Sequence, residues 1–131
     1  MIRWEPPDVL FVALRGAASA ADAATLGAIY DAVDERAGHF YVVFEAAELA
    51  FVDPGARAAW VRRDKPYPIR QVLAYGASFS VRTLVFTVYR AGRLISPASF
   101  PFPFEWVASE EEARARVATL RAAGQEGPPR G

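Results

Sequence analysis

The chain has 131 residues, 53% of them apolar, with 15 basic and 15 acidic side chains, so it suits one folded domain with a buried core. It has no cysteine, which excludes a disulfide framework, a thiolate metal site and a cysteine nucleophile. The N-terminus, Met1-Ile-Arg-Trp-Glu-Pro-Pro-Asp8, is polar and proline-broken, unlike a signal peptide, and no apolar run approaches the roughly 20 residues that span a bilayer. A cytoplasmic protein with no integral membrane association is expected. Residues 1–53 carry nine acids and three bases, whereas residues 57–93 carry eight bases and one acid. Such asymmetry either guides association or disappears once the chain folds.

Arg3-Trp-Glu5 reads as a short edge strand, stopped by Pro6 and Pro7, which offer no backbone N–H. Val9-Leu-Phe-Val-Ala-Leu14 is almost wholly apolar, the pattern of a strand covered on both faces, and Gly16 is expected to end it. Ser19 caps a helix with Asp22 in its first turn. Leu26, Ile29, Tyr30, Val33 and Ala37 form that helix's apolar stripe, and Gly38 stops it. His39-Phe-Tyr-Val-Val-Phe44 is a second buried strand.

Asp53-Pro54 opens the next helix, with Asp at the N-cap and Pro at the first helical position. Arg57, Arg62, Arg63 and Lys65 are expected in solvent, and Pro66-Tyr-Pro68 to end the helix. Ile69-Arg-Gln-Val-Leu-Ala-Tyr75 is a third core strand, closed by Gly76. Residues 78–96 fit a helix or a β-hairpin turning at Ala91-Gly92; the βα alternation before them favours the helix. Phe100-Pro-Phe-Pro-Phe-Glu-Trp106 permits only an edge strand or an extended segment. Ser109-Glu-Glu-Glu112 is a capping box for a last helix, with Glu112 and Arg116 paired on its exposed side and Gly124 at its end. The expected fold is α/β: residues 1–124 as one domain with a mainly parallel four- to five-stranded sheet and about four helices, then a flexible tail over residues 125–131.

Glu48-Leu-Ala-Phe-Val-Asp-Pro-Gly55 carries the strand-to-helix turn where α/β proteins place working groups. An apolar strand running into Leu49-Ala-Phe-Val-Asp53, then a helix, resembles the STAS (SpoIIAA-like) domains, best known as bacterial anti-sigma-factor antagonists. The resemblance covers residues 8–123 and includes the Gly76-Ala-Ser78 junction. It implies a βα superhelix and a regulatory or scaffolding role in binding a protein partner. Antagonists of that family carry an Asp-Ser-Ser/Thr-Gly turn whose serine a kinase phosphorylates. Asp53 matches the Asp; Pro54 and Gly55 stand where the hydroxyl residues belong, so the resemblance implies no phosphoserine switch at this turn. The candidate partner-binding residues are Asp53, Pro54, Gly55, Arg57 and Ser78. A CRAL-TRIO-like lipid carrier, of related βα architecture, is the alternative. In that reading Phe79, Phe86, Phe100 and Phe102 flank an apolar groove for a lipid or small apolar ligand, or serve self-association as a homodimer.

No enzyme is expected. The lone histidine, His39, has no partner at metal-ligand or triad spacing. Gly-Ala-Ser-Phe-Ser80 lacks the nucleophile-elbow pattern, and there is no Gly-rich phosphate loop. Four clustered positives among alanines in a neutral chain make a poor nucleic-acid surface. No catalytic residue, metal ligand or cofactor is therefore assigned.

Overall fold

The three apolar runs that begin near Val9, Phe40 and Ile69 pair side by side as parallel strands. The computed structural model describes residues 1–125. Among these there are seven strands and four helices in one compact α/β domain. Strand β1 (Ile2–Glu5) pairs antiparallel with β2 (Val9–Ala13). Strands β2, β4 (Phe40–Glu45), β6 (Ile69–Tyr75) and β7 (Phe104–Trp106) then run parallel, giving the sheet order β1-β2-β4-β6-β7. Successive parallel strands are neighbours, so each crossover advances the same way and its helix falls on the same face. Helices α1 (Ala20–Ala37), α2 (Pro54–Val61) and α3 (Phe79–Ile95) accordingly bury Leu26, Ala56 and Val81 against one face of the sheet. Helix α4 (Glu110–Gln125) covers the other face through Ala113 and Val117.

The stretch over residues 78–96 forms one helix, Phe79–Ile95, between the caps Ser78 and Ser96, as the alternation favoured. The cap signals also hold. Ser19 Oγ accepts from the Asp22 N–H while Asp22 accepts from the Ser19 N–H. Ser109 Oγ accepts from the Glu112 N–H, and Glu112 reaches back to the Ala108 N–H.

Several expectations are corrected. The first core strand stops at Ala13, short of Gly16, but Gly16 also opens an unexpected strand: β3 (Gly16–Ala18) pairs in parallel with β5 (Leu49–Val52) as a separate two-stranded sheet. Gly-Ala-Ala has little strand propensity; the partner strand imposes the conformation. Helix α2 ends at Val61, before Pro66. Arg63 is not in solvent. Its side chain is only 10% exposed, 2.6 Å from Asp31, with its guanidinium 4.5 Å from the centre of the Tyr67 ring. Arg116 pairs with Glu105 rather than Glu112, because Glu112 is occupied at the cap. The segment from Phe100 does supply an edge strand, β7, as its pattern allows, but only from Phe104 on, and Phe100 and Phe102 before it are buried. Helix α4 continues past Gly124 through Gln125, and residues 126–131, where a flexible tail is expected, lie outside the described residues.

Ion pairs join distant parts of the chain. Arg114 holds Glu5 at 2.6 Å across 109 positions, and Arg121 holds Asp8. Lys65 joins Arg63 on Asp31 at 3.1 Å. The acidic N-terminal portion is thus partly neutralised by bases from later in the chain.

Candidate functional site

Two sets of candidate residues are separated by the fold. The first set lies at helix starts that follow strand C-termini. Asp53 occupies the N-cap of α2, with backbone φ −61° and ψ 150°, but its carboxylate makes no capping hydrogen bond. Its backbone does the work: the N–H donates to the Ala18 carbonyl at 2.9 Å and the carbonyl accepts from Arg57 at 3.0 Å. Pro54 and Gly55 are exposed on the first turn. Arg57 Nε donates to the Val52 carbonyl at 2.9 Å, and the guanidinium lies 5.2 Å from the centre of the Phe51 ring. Ser78 caps α3, its Oγ accepting from the Val81 N–H at 3.3 Å. Helix α3 packs on both α2 and β5, so Asp53 and Ser78 stand at the starts of neighbouring helices, with no hydrogen bond between them. Asp53→Ala is expected to change stability by less than about 0.5 kcal/mol, below the ~1 kcal/mol of a bonded cap. A urea titration checks this, and a loss above about 1 kcal/mol would contradict the geometry.

The second set surrounds a cavity. A partly open apolar space of about 120 Å³ lies between the sheet and helices α1–α3. Val12, Val42, Phe44 and Val72 form its floor on the sheet, and Leu26 and Tyr30 face it from α1. Leu49, Val52 and Trp60 line it from β5 and α2; Val85, Val88 and Tyr89 line it from α3. Phe100, Phe102 and Phe104 close the aromatic end together with Tyr67. The sequence explains the space. Helix α3 turns Val81, Val85, Val88 and Gly92 inward, which are short side chains, while rings hold the layers apart at one end. Tyr67 packs 5.1 Å from Phe100, and Tyr89 5.5 Å from Phe102. Gly92 lies against the Phe100 ring so closely that a Cβ there would sit 2.3 Å from the ring's Cζ.

Of the nominated phenylalanines, Phe100 and Phe102 line this cavity, Phe86 packs half-buried against Tyr89 and Phe104, and Phe79 is 84% exposed. Sequence reasoning missed Tyr30, Trp60, Val85 and Val88. The short inward residues of α3 were the available signal, but a space has no residue type of its own.

Polar groups at the cavity are few. The Tyr67 hydroxyl donates to the Trp60 carbonyl at 2.6 Å, and the Tyr89 hydroxyl to the Phe102 carbonyl. Burial pushes the Tyr67 phenol up to about 12. Burial raises Tyr30 in the same direction, as do burial and the Glu110 charge for Tyr75. The folded state thus favours the neutral phenols. The contribution of Tyr67 to stability is complete below the ordinary value of 10.0 and is lost as the pH rises through about 12, and the more strongly raised Tyr30 and Tyr75 extend the loss upward. Denaturation midpoints are expected to fall across that interval, with phenolate absorbance rising as unfolding proceeds. A midpoint constant between about pH 10 and 12 would contradict the burial of these groups.

Among the described residues no cluster of His, Asp or Glu is placed to hold a metal ion, and no helix is long and apolar enough to cross a membrane. No protein-family model and no curated protein sequence matches the chain.

Proposed function

We propose that the protein binds a small apolar ligand in the cavity beneath α3. The carrying observation is the 120 Å³ volume with its almost wholly apolar lining. Protein interiors keep few voids larger than a water molecule. An apolar cavity of roughly 150 Å³ stays dry and accepts benzene. The space here suits one aromatic ring or a hydrocarbon segment of like bulk. It is too small for a whole lipid.

The test is thermal and NMR titration with toluene, beside the cavity-filling variant Val85→Phe. Ligand at about 100 times its Kd is expected to stabilise the wild type by ~2.7 kcal/mol. Val85→Phe is expected to show no such gain. Equal, negligible responses in both proteins would overturn the proposal.

A second reading has its own observation. Helix α3 exposes Phe79 at its start and Leu94 and Ile95 at its end, Phe79 and Leu94 each 84% exposed. The helix carries Arg82, Arg90 and Arg93 and no acidic residue. Exposed apolar groups among unneutralised charge mark an interaction surface. That supports a STAS-like, non-catalytic regulatory or scaffolding module whose partner is an acidic protein or, through the apolar groups, a second copy of this chain. Leu94→Asp is expected to abolish any dimer seen by sedimentation. A wild-type monomer at high micromolar concentration would remove the homodimer from this reading.

A further inference from the structure

We infer that the cavity's ligand is an aromatic ring bearing one hydrogen-bonding group, such as a phenol, and that the Tyr30 hydroxyl selects it. This inference rests on the apolar-ligand reading and names the ligand class. Three tyrosines line the cavity: Tyr30, Tyr67 and Tyr89. Two of their hydroxyls are committed to backbone carbonyls, those of Trp60 and Phe102. Tyr89 also accepts from Arg93 at 2.7 Å. The Tyr30 hydroxyl has no hydrogen-bond partner among the described residues, although the residue is only 8% exposed.

A buried hydroxyl without a partner is destabilising, so a fold keeps one where something else completes it. No side-chain nitrogen or oxygen that is fully sealed from solvent lacks a partner among the described residues. The Tyr30 hydroxyl therefore keeps some accessible surface, and Tyr30 is one of the residues that line the cavity. The ring itself is fixed, 5.8 Å from Phe40 and 5.9 Å from Tyr67. A fixed ring directs its hydroxyl to one place, which is the condition for selecting a ligand rather than merely tolerating one. Burial keeps the phenol neutral, so it can both donate and accept a hydrogen bond.

The discriminating pair of probes is p-cresol and p-xylene, which have nearly the same shape and differ by a hydroxyl. Wild-type protein is expected to bind p-cresol about tenfold more tightly than p-xylene, and Tyr30→Phe to lose that preference while still binding p-xylene. If both proteins bind both probes with the same ratio, Tyr30 does not select, and the apolar cavity reading survives without it. If neither probe binds wild-type protein, both the inference and the cavity reading fall. Should Tyr30→Phe fold poorly, ring-carbon NMR of the wild type decides. A Tyr30 shift with p-cresol and not with p-xylene supports selection; equal shifts overturn it.

Discussion

Phe40→Ala is expected to lose about 3–5 kcal/mol of stability. Phe40 is fully buried and is the largest of the side chains sealed from solvent. Its ring meets Trp4 edge-on at 6.2 Å and Tyr30 at 5.8 Å, so it joins the N-terminal hairpin, β4 and α1 at one point. Truncation removes the transfer energy of the ring and leaves a void that strand backbone on either side prevents from collapsing. Small domains have only about 5–15 kcal/mol in total, so this one change takes about a fifth of it or more. With a urea m-value near 2 kcal/mol/M, the midpoint falls by about 2 M. Tyr30 loses its neighbour in the same variant, so ligand selectivity weakens as well. A measured cost below about 1 kcal/mol would show that the ring does not hold these elements together.

Gly92→Ala is expected to abolish ligand binding at a smaller cost in stability. Alanine in mid-helix is favoured over glycine by about 1 kcal/mol. Against that, the new Cβ would meet three atoms of the Phe100 ring at 2.3, 2.4 and 2.6 Å, far inside contact distance. Overpacking of this kind typically costs about 1–3 kcal/mol. The Phe100 ring must move, and Tyr67, Tyr89 and Phe102 crowd it at 5.1, 6.3 and 5.7 Å. The unfilled side is the cavity. Moving there relieves the clash and fills the site. Net destabilisation of about 0–2 kcal/mol with loss of toluene binding is therefore expected. Unchanged toluene affinity would show that the ring has moved elsewhere.

Local chemistry made much of the fold legible in the sequence. Ser19 with Asp22 and Ser109 with Glu112 announce helix starts within four residues, and the structure forms both. The apolar runs gave the buried strands for the same reason: each pattern is complete within a few positions. What failed depended on partners far along the chain. Gly16–Ala18 becomes a strand only because Leu49–Val52 lies beside it. Arg63 looked like any charge in a polar run until Asp31, 32 residues away, took it inward.

The site was legible in the same uneven way. Asp53 and Ser78 stand at the helix starts where the pattern put them, yet the Asp53 carboxylate makes no capping bond, a matter of side-chain direction. Phe100 and Phe102 were nominated for a groove and line the cavity, while Phe79 points to solvent. Tyr30 was visible as part of a helical stripe. That its hydroxyl alone lacks a partner depends on Trp60 and Phe102 satisfying the other two.

The two faces of the sheet are completed at different times during synthesis. Val9, Phe11, Tyr41, Val43 and Leu73 are covered by Ala113 and Val117 of the last helix, which Arg114 and Arg121 fasten to Glu5 and Asp8, 109 and 113 positions earlier. At ~5–20 residues per second, the first strand waits about 5–20 s for this cover. Over that interval the nascent chain carries a bare apolar sheet face. Chains that stall before α4 are the ones a holding chaperone should retain, and the ones that should precipitate without it.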